Sequence, residues 1–208
     1  VENTLWKIGS KLGNATVEPT GTIINRGENC RPRCSMTRCL GRRARAARSS
    51  GSSVIIVSAS ALPATVTVPV TVWAGDGADV VSIDATSSGN TVNGEGGDDY
   101  LGFGGKARGT LNGGDGADFL EHTGNEAVTL NGNAGDDVLA GSNGGDQLVG
   151  GDDNDQLRGL AGRYDGGTGD DLLEFTLDTD RVLTIAGGGG NDRLHLTLTG
   201  ANDRLALA

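Results

Sequence analysis

The chain has 208 residues, 37 of them glycine and seven aromatic, and its 17 Lys and Arg against 27 Asp and Glu leave a net charge of −10. It has no run of about 18 apolar residues to cross a bilayer as a helix, and with four prolines and no three-residue glycine period it is not collagen. Glycine buries no side chain and is entropically expensive to order, so bulky packing alone cannot hold such a fold together.

The charge is split along the chain. Residues 1–50 carry ten basic side chains (Lys7, Lys11, Arg26, Arg31, Arg33, Arg38, Arg42, Arg43, Arg45 and Arg48) against three Glu, which is +7. Residues 51–208 carry the remaining seven basic and 24 acidic groups, which is −17. The Ser-rich stretch Ser49–Ser53 marks the boundary, giving a basic segment 1–53 and an acidic unit 54–208. In the basic segment, Leu5, Trp6, Ile8 and Leu12 could line one face of a short helix, and Thr22–Ile24 reads as a strand. Cys30, Cys34 and Cys39 are spaced by four and five, not as paired C-x-x-C, and the only histidines are the distant His122 and His195, so a zinc site there is disfavoured. The arginine run 38–48 has no interleaved aromatics, so it reads as a solvated or self-docking segment and not as a nucleic-acid reader. Val54–Val57 reads as a buried strand, and Thr65–Val72 alternates with period two as a half-buried strand does, with Pro69 suiting an edge or first coil.

From about residue 70 the sequence repeats itself. Thr91-Val92-Asn93-Gly94 returns as Thr110-Leu111-Asn112-Gly113 and Thr129-Leu130-Asn131-Gly132, a step of 19 each time. Behind each copy comes a glycine-aspartate turn: Gly94–Leu101, Gly113–Leu120 and Gly132–Leu139. Further turns follow at Gly141–Leu148, Gly150–Leu157, Gly166–Leu173 and Gly187–Leu194. The motif G-G-x-G-x-D-x-U-x resembles the RTX, or haemolysin-type, calcium-binding nonapeptide repeat over roughly residues 70–208. The resemblance implies an all-β parallel β-roll, a β-solenoid of stacked coils, preceded by the irregular basic segment. It also implies several Ca²⁺ ions held in the glycine-rich turns.

The physics of the repeat agrees. A coil of 18–20 residues fits two short strands and two turns, stacked at about 4.8 Å. Val81, Leu101, Leu120, Leu139, Leu148, Leu157, Leu173 and Leu194 would point inward as a thin core. The sixth-position aspartates Asp79, Asp99, Asp118, Asp137, Asp155, Asp171 and Asp192 recur about once per coil and should line one edge, where stacked like charges need a divalent, oxygen-seeking cation. With them the motif places the fourth-position glycines Gly97, Gly116, Gly135, Gly169 and Gly190 in the metal turns. On the opposite edge the early turns lack the pattern, and Asp146 with Gly144 is its clear carrier, followed by Asp165 and Asp203. The expectation is a long metal row facing a short one. In Gly159–Asp165, Tyr164 stands where the aspartate belongs. Tight turns without metal would use the same Asp-Gly pairs; the periodic array is what favours the ion.

No Ser/His/Asp or Cys/His set is assembled from motif-bearing positions, and both histidines sit alone in strand-like segments, so an enzyme is not expected. Three functions fit: a calcium-dependent extracellular structural or assembly protein, a folding and secretion module of a larger exported protein, and an ice- or surface-binding solenoid using the Thr-x-Asn ladders. The metal points to a secreted or cell-surface location, because extracellular sites are tuned to millimolar-range Ca²⁺. Repeat-like sequence continues through Asp203–Ala208 without a polar cap, so end-to-end association of copies into oligomers or filaments is expected. Neither nucleic acid nor a membrane span is expected as a partner.

Overall fold

A computed structural model describes residues 16–17, 22–24, 54–58, 69, 71–85, 88–177 and 183–199. All regular structure among them is strand. One sheet takes β1 (Thr16–Val17), β2 (Thr22–Ile24), β4 (Thr71–Asp76), β6 (Asn90–Gly96), β8 (Gly109–Asp115), β10 (Thr129–Ala134), β12 (Gln147–Asp152), β14 (Arg163–Thr168) and β16 (Thr184–Gly189), hydrogen-bonded in that order. The other takes β3 (Val54–Ser58), β5 (Val80–Ala85), β7 (Tyr100–Gly105), β9 (Phe119–His122), β11 (Val138–Ser142), β13 (Gln156–Leu160), β15 (Leu172–Leu177) and β17 (Arg193–Leu198). Apart from the antiparallel β1–β2 pair, neighbours are parallel. The chain therefore alternates between the two sheets and winds as a β-solenoid, as the repeat implied.

Thr71, Thr91, Thr110, Thr129, Gln147, Arg163 and Thr184 are register partners down the first sheet. Their spacing makes the coils 16 to 21 residues long, wider than the expected 18–20. The extremes are neighbours. The coil from Gln147 to Arg163 is two residues short at one turn, and the next is lengthened at the same edge. Strand β4 starts at Thr71, and Pro69 lies outside any strand. Of the strand expected over Thr65–Val72, Thr71 and Val72 open β4, and residues 65–68 and 70 lie outside the described residues. Thr22–Ile24 is a strand as expected and pairs with Thr71–Trp73, so part of the basic segment extends the sheet. The helix considered over Leu5–Leu12, the three cysteines and Asp203 lie outside the described residues.

The core is two facing columns. Val72, Val92, Leu111, Leu130, Leu148 and Tyr164 come from the first sheet, and Val81, Leu101, Leu120, Leu139, Leu157 and Leu173 from the second; all are buried. Leu194, expected inward, is 43% exposed; β17 is the outermost described strand of its sheet. Tyr164 replaces no aspartate. It pairs with Leu148 in the inward column, stacks on Phe175 at 4.5 Å between ring centroids and donates its hydroxyl to the Gly159 carbonyl at 2.7 Å. The two-residue deletion in that turn shifted the register that the sequence suggested.

Candidate metal-binding edge

The turns leaving the first sheet form one edge, here the near edge. Its sixth-position residues are all aspartate, and Asp79, Asp99, Asp118, Asp137, Asp155 and Asp171 are buried. Each carboxylate uses one oxygen in the same way. The backbone N–H of Asp99 donates to Asp118 Oδ1 at 2.8 Å, that of Asp118 to Asp137 at 2.8 Å, that of Asp137 to Asp155 at 2.9 Å and that of Asp155 to Asp171 at 2.8 Å. Asp79 and Asp192 sit at the two ends of this ladder, giving to Asp99 and accepting from Asp171. Asp192 is exposed.

The second oxygen behaves differently. Oδ2 of Asp99, Asp118, Asp137, Asp155 and Asp171 is buried with no hydrogen-bond donor. Each points over the first-position glycine of its own turn. A Cβ added at Gly94 would lie 2.1 Å from Asp99 Oδ2 and 2.4 Å from the carbonyl oxygen of Gly113. The same convergence recurs at Gly113 (2.2 Å from Asp118 Oδ2, 2.7 Å from the Gly132 carbonyl), and at Gly132, Gly150 and Gly166. Each of these five turns thus builds a small cradle, open only because the residue is glycine, where a carboxylate oxygen and a carbonyl oxygen of the next coil meet.

Burial pushes the carboxyls of Asp99, Asp118 and Asp155 up to about 7 and that of Asp137 to about 6, against the lowering effect of the N–H bond each accepts. The neighbouring carboxylates add to the rise, and Asp171 moves the same way for the same reasons. A column of partly buried carboxyls with unpaired oxygens favours either a proton or a cation. Among the described residues no three His, Cys, Asp or Glu side chains converge on one point. A cation would have to combine carboxylate oxygens with backbone carbonyls. That mixture suits Ca²⁺, which takes six to eight oxygens with tolerant geometry, and not Zn²⁺, which prefers nitrogen and sulfur. The donor set fits the ion that the repeat implies.

The expected fourth-position glycines play a backbone part. Gly97 is left-handed at φ 111°, and its N–H reaches the Asp115 carbonyl of the next coil at 2.7 Å. Gly116, Gly135, Gly169 and Gly190 share the conformation, while Asp153 takes that place in one coil at φ 74°. Gly144, in the opposite turn, is not left-handed. Sequence reading missed the first-position glycines as site residues. The signal was a glycine five residues before each aspartate from Asp99 to Asp192.

The opposite, far edge repeats that aspartate only once among the described residues. Where the near edge stacks aspartates, the residues just before β6, β8, β10, β12, β14 and β16, or opening them, are Asn90, Gly109, Val128, Asp146, Gly162 and Leu183. Asp165 does not join Asp146; it pairs with Val149 and contacts Arg163 on the surface. Asp146 is surrounded. Val128 N donates to its Oδ1 at 3.1 Å, and Ser142 N, Asn143 N and His122 Nδ1 meet its Oδ2 at 3.1, 3.0 and 2.8 Å. His122 is therefore not alone in its strand, as the sequence suggested, but buried beside Asp146 and Ser142. Ser142 Oγ donates to the Gly124 carbonyl at 2.8 Å and lies 3.3 Å from the same Nδ1 that Asp146 engages. A nucleophile–base–acid relay needs the hydroxyl on the other ring nitrogen, so this trio does not have a relay's geometry. His195 is exposed, but it too is not alone: it lies beside Glu174 of the preceding coil.

The Thr-x-Asn ladder is also partly consumed. Asn112 and Asn131 each donate Nδ2 to the Oδ1 of the asparagine one coil before, at 2.8 Å, and Trp73, Val149, Asp165 and Ala186 interrupt the column. These amides bind coil to coil, which stabilises stacked strands.

The family model of the RTX calcium-binding nonapeptide repeat matches residues 122–157, 131–164 and 184–197. No curated protein and no solved structure matches the chain.

Proposed function

We propose that this chain, which carries RTX calcium-binding nonapeptide repeats in a β-solenoid, is an extracellular structural protein that folds as its near edge takes up Ca²⁺ and then stacks end to end. The observation that carries the calcium reading is the row of buried Oδ2 atoms at Asp99, Asp118, Asp137, Asp155 and Asp171 without donors. The ions would be held by these oxygens, by Asp79 and Asp192 at the ends, and by the carbonyls of Gly113, Gly132, Gly150, Gly166 and Gly187. Calcium supplies positive charge where the fold otherwise stacks carboxylates, so binding free energy becomes folding free energy. Folding then waits for millimolar-range Ca²⁺, which supports a role outside the cell, and RTX repeat proteins are typically exported.

Self-association is supported by the last described coil. No described strand lies beyond β17, whose Leu194 and Leu198 are 43% and 50% exposed. A parallel strand with exposed apolar side chains is a template for another coil, and a head-to-tail contact propagates instead of closing. Far-ultraviolet circular dichroism of the full chain, with calcium and after its removal by chelation, tests the first part; an unchanged β spectrum and melting temperature would refute it. Light scattering in millimolar calcium tests the second, and a strictly monomeric protein at high concentration would refute that.

A further inference from the structure

The two edges treat the same motif differently, and the difference lies in one oxygen. Gly141–Asp146 has the spacing of the near-edge turns, and Asp146 uses Oδ1 as they do, accepting the N–H of the residue stacked on it in the preceding coil (Val128, 3.1 Å; compare Asp99 N to Asp118 Oδ1, 2.8 Å). At Asp99, Asp118, Asp137, Asp155 and Asp171 of the near edge Oδ2 has no donor. At Asp146 it has three, one of them the imidazole of His122 at 2.8 Å. The carboxylate only accepts, so His122 Nδ1 carries a hydrogen. Both side chains are fully buried.

We propose that calcium binds along the near edge only, and that at the far edge His122 takes the place of the ion at Asp146. The proposal rests on the calcium reading of the near edge. His122 reaches that position because it is the register partner of Phe103 in β7. Continuing the same register past Leu120–Leu139, the next coil has Gly141 there. A glycine at this place on the near edge leaves a cradle; a histidine one coil earlier fills it. The coils around Asp146 also lack what a metal row needs, since its stacked neighbours Val128 and Gly162 offer no side-chain oxygen. A cation at Asp146 Oδ2 would have to displace an imidazole and two backbone N–H groups already directed at it. The family motif read alone counts Asp146 as a ligand; its surroundings make it the acceptor of a permanent hydrogen-bonded clamp. The far edge is then closed by the chain's own groups whether or not calcium is present.

The test counts calcium ions per chain by native mass spectrometry at saturating calcium, using the full chain and its Asp137→Asn and Asp146→Asn variants. Asp137→Asn should lower the count by at least one ion, and Asp146→Asn should leave it at the wild-type value. An equal loss for both variants overturns the proposal. Should Asp146→Asn fail to fold, the ring nitrogens of His122 decide the matter in calcium-loaded wild-type protein. A slowly exchanging Nδ1–H, seen by ¹⁵N nuclear magnetic resonance, is expected, and an unprotonated Nδ1 overturns the proposal. A count that Asp137→Asn also leaves unchanged would instead overturn the near-edge reading on which this one depends.

Discussion

The two edges of this solenoid are made by the same winding of the same chain, yet one is a column of carboxylates and the other a small hydrophobic core. On the near edge the first positions are Ala74, Gly94, Gly113, Gly132, Gly150, Gly166 and Gly187, and the space they leave is taken by aspartate oxygens. On the far edge the corresponding column runs Ile83, Phe103, His122, Gly141 and Gly159 to Phe175, on which Tyr164 of the facing sheet stacks. A glycine-rich coil can thus close its turns in two ways. It can fill them with side chains, which needs no ligand, or line them with oxygens, which needs a counter-charge. On the proposed calcium reading, the near edge would make folding conditional, while the far edge would supply stability that does not depend on calcium.

The comparison breaks most sharply at Phe103, which is 1% exposed. Phe103→Ala should lower stability by about 3–5 kcal/mol without changing the number of calcium ions bound, as read by chemical denaturation and native mass spectrometry together. A lost ion would mean that the edges are not separable. Next in size is Asp118→Ala. It leaves the Asp99 N–H without its acceptor, worth about 1–3 kcal/mol, and removes an oxygen from the proposed site. Asp84 is exposed and outside the motif, so Asp84→Ala should fall within about 0.5 kcal/mol of wild type. Equal losses of calcium affinity for the two would show that the register of the row is wrong.

Glycine substitutions sharpen the same contrast. Gly113→Ala puts a methyl 2.2 Å from Asp118 Oδ2 and 2.7 Å from the Gly132 carbonyl. The cost should be about 1–3 kcal/mol of overpacking, together with weaker calcium binding. Gly102→Ala meets nothing closer than 3.7 Å and should be neutral or slightly stabilising. Thermal melts of both variants with calcium present check this.

The same carboxyls give the calcium-free protein a pH dependence. The near-edge carboxyls are raised in the folded state, from an ordinary value near 4 to about 6 for Asp137 and about 7 for Asp99, Asp118 and Asp155. Their contribution to stability is fully present below about pH 4 and is lost as the pH rises through 6 to 7. Calcium-stripped protein should therefore melt higher near about pH 5 than near about pH 8, the proton standing in for the ion. With calcium present the trend should weaken or reverse, because protons compete for the same oxygens. A calcium-free melting temperature that rises with pH would contradict the burial of these groups.

Much of this was legible in the sequence. Glycine at first and fourth positions, aspartate at sixth and leucine at eighth repeat at a period that only a stacked coil satisfies. The aspartate row from Asp79 to Asp192 and the inward leucines follow from that period alone, because in a parallel stack equal positions must superpose. The tertiary structure decided what depends on neighbours in other coils. Tyr164 moved from an aspartate position to the leucine column because a shortened turn is absorbed where its two strands still pair. His122, isolated in sequence, lies 24 residues from Asp146 and meets it because the stack sets the turn of one coil against that of the next. Which oxygen of each aspartate stays unpaired also emerged only there, since the donors that satisfy or spare it belong to the adjoining turns. Period determines which residues stack; the contents of the neighbouring turn determine whether a stacked carboxylate is a clamp or a ligand.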